Sequence, residues 1–271
     1  MSGSDNHGAI LVVPVGLDVT RAKELPRPEF CPSVCYVITQ EHDPSRQLVD
    51  KCRPQALEVA NYFQKSFRSL TVVVEVPNFF DIFQVMACYR WIHQQHSTDV
   101  IFCNVGSGSK INAMAATLTS GFHQNFIAFY PKGFIASAEN HVLQDTVGFL
   151  KEGILEIPSF TIDQLEPKLL TVLQFVNQQG QTVTKTELLN FLMSKEVGLI
   201  QGYSAPKGRT ALKKRSDQSL FNLLKRQFIK PLKQQRLVEE REGKLSITPR
   251  GQQMLVIYTY DKFKVNNLTV D

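Results

Sequence analysis

Short apolar runs and segments of helical period alternate along the first half of the chain. Residues 9–15, 34–39, 71–76, 100–105 and 126–130 are each rich in Val, Ile or Phe and only five to seven residues long, the pattern of strands buried on both faces. Between them lie 54–67, with Leu57, Ala60, Tyr62, Phe63 and Phe67, then 79–95, with Phe83, Val85, Met86, Tyr89 and Ile92, then 110–122. These space their apolar positions as helices do. Strand, helix, strand repeated this way predicts an α/β fold, a Rossmann-like doubly wound parallel sheet with right-handed crossovers.

The second half changes period. Leu165, Leu169, Val172, Leu173 and Val176 recur at helical spacing over 162–178, which Gly180 closes. Thr184-Lys185-Thr186-Glu187 is a capping box opening a second helix through Leu188, Leu189, Phe191 and Leu192. A long polar connection at 198–215 follows, then a third helix capped by Ser216 or Asp217, with Leu220, Leu224, Phe228 and Leu232 on its core face. Pro231 is expected to kink or end that helix. Residues 237–248 alternate about Gly243 as a hairpin, and Pro249 starts a last helix. Three helices and a two-stranded wing make a winged helix-turn-helix domain. The expected boundary lies at the Ile157-Pro158-Ser159 linker, with domains at 1–157 and 158–271.

Charge sharpens this division. The 271 residues carry a net +5, but residues 1–160 hold 12 Lys and Arg against 15 Asp and Glu, whereas residues 161–271 hold 18 against 10. Residues 207–233 contain nine basic side chains and the single acid Asp217. A cationic segment of that density suits a polyanion, because each neutralised phosphate releases condensed counterions. Lys213, Lys214, Arg215, Gln218, Asn222, Lys225, Arg226, Lys230 and, in the wing, Lys244 are the candidate contacts to double-stranded DNA. A solvated basic loop, or a winged helix used for protein contacts as the acidic wing residues Glu239, Glu240 and Glu242 suggest, are the alternatives.

Two strand exits in the front half carry candidate chemistry. The first runs Val13-Pro14-Val15-Gly16-Leu17-Asp18-Val19-Thr20-Arg21; the second runs Asn104-Val105-Gly106-Ser107-Gly108-Ser109-Lys110-Ile111. In the second, bare N–H groups, hydroxyls, a helix dipole and an ammonium converge where an anion could bind. The spacing is neither a Walker A loop, a dinucleotide fingerprint nor a nucleophile elbow, and a tight turn without ligand is the plain alternative. Phe79, Phe80 and Tyr130 end predicted strands and could wall a base or pack in the core.

These two motifs, followed by a winged helix, resemble the CARF (CRISPR-associated Rossmann-like) transcriptional regulators of archaea. The resemblance implies a homodimer whose first and fourth strand exits form a shared pocket for a cyclic oligoadenylate or other nucleotide. Gly16, Leu17, Asp18 and Arg21 would line one wall, and Asn104, Gly106, Ser107, Gly108, Ser109 and Lys110 the other. The function expected is therefore ligand-responsive transcription regulation. A metal-independent ring nuclease using Lys110 and Ser109 in the same pocket is the enzymatic alternative, and a protein-interaction adaptor is the third.

No cofactor is expected. The five cysteines are scattered, and neither Cys31/Cys35 nor His93/His96 has further ligands at metal-site spacing. The uncharged run between Lys110 and Lys132 is broken by Asn112, Thr117, Ser120, His123 and Asn125, so no membrane span is expected. The amino-terminal residues lack a secretion signal, which makes the cytoplasm the expected compartment.

Overall fold

The computed structural model describes residues 9–17, 19–27, 29–42, 52–131, 154–157, 162, 164–180, 182–194, 197, 199–200 and 218–268. The chain divides into two compact units: Met1–Asp163 with Tyr260–Asp271, and Gln164–Thr259.

In the first unit the apolar runs form β1 (Ala9–Pro14), β2 (Val34–Gln40), β3 (Leu70–Val76), β4 (Val100–Asn104) and β5 (Phe126–Pro131). Between them lie α1 (Val19–Ala22), α2 (Cys52–Phe67), α3 (Ile82–Gln95) and α4 (Lys110–Phe122). The edge strand β6 (Ile154–Glu156) and the last strand, β10 (Lys264–Asn267), complete a sheet of order β10-β3-β2-β1-β4-β5-β6. The five inner strands are parallel, and β6 and β10 run antiparallel at the two edges. This is the Rossmann-like arrangement, with strand order reversing between β1 and β4.

Both sheet faces are apolar because the strand period of two places every second residue on each face. Leu11, Val13 and Val37 pack on Ala56, Val59, Ala60 and Phe63 of α2. Ile10 and Val12 point to the other face and are buried as completely. Cys35, Cys88 and Cys103 are buried free thiols whose burial pushes their pKa up, so they pack as small hydrophobes. Helix α3 begins at Ile82, later than its apolar pattern, because Asp81 accepts from the amides of Phe83 and Gln84 and sets the cap.

At the amino ends of β4 and β5 the rings of His93 and His123 stack with centroids 3.8 Å apart. Asn125 donates to the carbonyls of Ser97 and Asp99, so its remaining oxygen accepts from His93 Nε2–H at 2.9 Å. Burial, then the neighbouring His93 and Arg90, pull His123 down to about 4. An unfolded histidine titrates near 6.5, so between about 6.5 and 4 the unfolded chain binds the extra proton. Stability is therefore expected to be intact above pH 6.5 and to fall as the pH drops towards 4. Thermal unfolding of wild type and His123→Phe across that range checks it, the variant losing less stability on acidification.

The second unit is the winged helix. It contains α5 (Pro167–Gln178), β7 (Val183–Thr184) and α6 (Lys185–Met193). A third helix, α7, covers residues 218–234, followed by β8 (Val238–Arg241), β9 (Lys244–Ile247) and α8 (Pro249–Thr259). The Thr184–Glu187 capping box forms as its spacing predicts. Helix α5 starts at Pro167, not near Ile162, since proline favours the first helical turn and disfavours helix in the residue before it. Glu242 and Gly243 both adopt positive φ in the tight turn of the wing. One core joins Leu169, Leu173, Leu188, Leu224, Phe228 and Leu245.

The linker position alone assigns residues 260–271 to the rear domain, but β10 pairs with β3 and places this segment in the first unit. Among the described residues no helix is long and apolar enough to cross a membrane, and no cluster of three potential metal ligands occurs.

Candidate ligand site and candidate nucleic-acid surface

The exits of β1 and β4 meet at the point where strand order reverses. The Gly16 amide donates to the Ser107 carbonyl at 3.0 Å, and Ser107 Oγ donates back to the Pro14 carbonyl at 2.8 Å. A Cβ on Gly16 would lie 2.9 Å from the Ser107 carbonyl oxygen, and one on Gly106 would lie 2.7 Å from Pro131 Cδ. Glycine is required at both positions for this close approach.

Asn104 braces the junction from beneath. It is fully buried; its amide donates to the carbonyls of Arg21 at 2.8 Å and Glu24 at 3.3 Å, and its oxygen accepts from the Gly106 amide at 2.9 Å. It is thus a support for the turn and not a wall residue, because a buried amide at a strand end satisfies its hydrogen bonds inside the protein. The buried Ser107 hydroxyl is engaged in the same way. Ser109 caps α4: its hydroxyl donates to Asn112 Oδ1 at 2.8 Å and accepts from the Asn112 amide. Asn112 also accepts from the Ser109 amide and donates to the Phe79 carbonyl.

What remains presented is backbone and cation. Among the described residues, the amides of Ser107, Gly108, Lys110 and Ile111 have no hydrogen-bond partner, and Lys110 is exposed at the first turn of α4. Arg21 reaches across to donate to the Tyr130 hydroxyl at 2.9 Å. Leu17 and Phe80 are exposed at the exits of β1 and β3, by 71% and 64%, while Phe79 is buried. Asp18 lies outside the described residues. The arrangement offers anion-binding amides and an ammonium beside apolar side chains.

Two organisers leave little trace in the sequence. Gln40, at the end of β2, accepts from the Phe79 amide at 2.7 Å and donates to the Pro77 carbonyl, fixing the β3 exit. Asn112 carries one usable signal, since Ser109-x-x-Asn112 has capping-box spacing with an amide in place of Glu or Gln.

On the winged helix, Gln218, Asn222, Lys225, Arg226 and Lys230 all lie exposed along α7, and Lys244 is exposed in the wing. Among the described residues none of these cations has a salt-bridge partner. Lys213, Lys214 and Arg215 lie outside the described residues, as do Ser216 and Asp217 and most of the 198–215 connection. Pro231 does not end the helix. A π turn at Lys225–Ile229 precedes it, closed by the Lys230 amide on the Lys225 carbonyl, and the helix runs on to Gln234. A widened turn relieves the clash between a proline ring and the preceding carbonyls. The acidic wing is largely neutralised: Glu240 accepts from Lys185 at 2.6 Å and Lys233 at 2.9 Å, which hold its carboxyl at about 2, and Glu239 pairs with Arg241.

Fold and sites define a class, a Rossmann-like domain whose central strand exits form a turn-rich site, followed by a winged helix. Residues 9–134 match the HFX_2341_N family model, an HFX_2341-like N-terminal domain, and residues 168–258 match the C-terminal winged helix domain of DUF6293. The two matched segments fall within the two units in turn, an N-terminal domain followed by a winged helix. Among solved structures it is similar to Enterococcus italicus Csm6 bound to cyclic hexa-2'-fluoro-hexa-dAMP, at 12% identity over 90% of this chain and 74% of that one, with a TM-score of 0.40. It is also similar to protein VC1899 from Vibrio cholerae, at 11% identity over 92% of this chain and 64% of that one, with a TM-score of 0.35. A comparison with curated proteins found no match.

Proposed function

We propose that the protein is a nucleotide-responsive, DNA-binding transcription regulator, CRISPR-associated in kind. A cyclic oligoadenylate or related anionic nucleotide binds at the β1 and β4 exits, and the winged helix binds duplex DNA. The observation carrying this reading is the cluster of amides at Ser107, Gly108, Lys110 and Ile111 that have no partner among the described residues, with the Lys110 ammonium beside them, at the switch point of the sheet. Helix dipole, donors and cation there all favour a phosphodiester. Leu17, Phe80 and Tyr130 offer surface for bases.

A homodimer suits such a ligand, since a two-fold ring of phosphodiesters presents the same groups to two identical sites. Met114 and Leu118, exposed one turn apart on α4, give each protomer apolar surface for pairing. The ring-nuclease alternative is weakened at one residue. The Ser109 hydroxyl is held by Asn112 as a helix cap, so it is not directed at a substrate phosphate.

Calorimetric titration of cyclic tetra-adenylate and cyclic hexa-adenylate into wild type and Lys110→Ala tests the site. Loss of a charged donor to phosphate is worth about 1.5–3 kcal/mol, so the variant is expected to bind at least tenfold more weakly while retaining wild-type affinity for duplex DNA. Equal affinity of both proteins for the ring, or no binding by wild type, would reject the site; linear adenylates among the products would favour the nuclease.

A further inference from the structure

Resting on that reading, we infer that α4 is the element that carries ligand occupancy from the β4 exit to the winged helix. Its amino end forms the candidate site, and its carboxyl end holds the chain as it leaves the first unit. The Gly121 carbonyl, in the last turn of α4, accepts from the Ile162 amide at 2.8 Å. Two residues later, at Gln164, the winged-helix unit begins. Thirteen residues of helix at 1.5 Å each make a rod of about 20 Å between these points.

The returning connection leads to the other end of the same helix. Beyond Thr259 the chain re-enters the first unit, where β10 pairs with β3, the Leu268 amide donates to Thr71, and Lys264 pairs with Glu41 at 2.5 Å. Strand β3 in turn leads into the exit whose Phe79 carbonyl accepts from Asn112, the third residue of α4. The first covalent connection of the winged helix thus meets α4 directly at Gly121, and the second reaches it through β10, β3 and the Asn112–Phe79 bond. The buried side of α4 is Asn112 followed by the small residues Ala115, Ala116, Thr119, Ser120 and Gly121, and small sliding of packed helices is one of the ways proteins switch. An anion drawn onto the amides of Lys110 and Ile111 would pull this rod, and the Gly121–Ile162 bond passes the displacement to the linker.

The Ile162 amide is its own reporter, and the first arm of the test needs no ligand. Amide hydrogen exchange of the full-length protein is compared between wild type, Asn112→Ala, which unties the amino end of α4, and Val59→Ala, which loosens the α2 core away from the rod. The rod predicts that Asn112→Ala speeds exchange at Ile162 at least tenfold more than Val59→Ala does. Acceleration confined to residues 109–113, or equal in the two variants, overturns it. In the second arm, Ile162→Pro removes the donor, and the exchange change that cyclic hexa-adenylate produces over 164–178 in wild type is expected to vanish with ring affinity unchanged. Persistence of that change overturns the rod. If wild type binds no cyclic adenylate, the sensor reading fails, while the first arm still decides whether α4 and the linker are mechanically joined.

Discussion

Replacing Lys225, Arg226 and Lys230 together with alanine is expected to weaken duplex DNA binding on the order of 10² to 10³-fold at 0.1 M salt. The three side chains project from one exposed stretch of α7, and among the described residues no carboxylate neutralises them. Each cation taken away from a phosphate lowers the slope of log K against log salt by about 0.9, or roughly eightfold in affinity at that concentration. The triple variant should thus show a slope shallower by about 3, measured by fluorescence anisotropy over a salt series. Because the three side chains point away from the core of Leu224, Phe228 and Leu232, unfolding of the winged helix should be unchanged. A slope identical to wild type would mean that α7 does not face phosphate.

Asn104→Ala is expected to be the most damaging single change in the first unit. It takes its acceptor from the half-buried Gly106 amide and one donor each from the carbonyls of Arg21 and Glu24, and it empties the fully buried position of Asn104. Each lost hydrogen bond to a carbonyl costs about 0.5–1.5 kcal/mol and the Gly106 amide without its acceptor about 1–3 kcal/mol, which places the loss near 3–5 kcal/mol. At roughly 2–4 °C per kcal/mol for a unit of this size, the melting temperature should fall by about 10 °C or more. Differential scanning calorimetry checks this. A loss below about 1 kcal/mol would show that the brace is dispensable and that the β4 exit holds its shape by other means.

The parts of the fold legible in the sequence are those written in side-chain pattern. Val12, Val37, Val73, Ile101 and Ala128 sit in runs apolar enough to mark five inner strands, and Thr184 with Glu187 announces the start of α6. The short strands are not legible. Lys264-Val265-Asn266-Asn267 is exposed at every position, so β10 exists by backbone pairing to β3 and by Lys264 meeting Glu41, neither of which leaves a hydrophobic pattern. Strand β6 is only three residues long and β7 only two.

At the site, glycine spacing and strand exits are enough to find the junction, because the Ser107 backbone excludes other residues at Gly16 and the Pro131 ring does so at Gly106. The division of roles within it is not readable. Asn104, Ser107 and Ser109 look like ligand contacts in one dimension, but Asn104 and Ser107 turn inward once α1 and β1 are brought beside β4, and Ser109 caps its own helix through Asn112. Gln40 and Asn112 brace the β3 exit from elements distant in sequence, and only the folded chain reveals that pairing.

If one chain links a nucleotide site to a DNA surface, occupancy of the first must alter the second, and coupling of that kind is typically worth about 1–3 kcal/mol. The decisive quantity is the affinity of the full-length protein for duplex DNA with and without saturating cyclic tetra-adenylate or hexa-adenylate, at one fixed salt concentration. One of the two rings is expected to change the dissociation constant by roughly 5 to 150-fold, and Lys110→Ala to abolish the change. Identical DNA affinity in the presence and absence of either ring, with binding of the ring itself verified, is incompatible with a regulator that reads one site through the other.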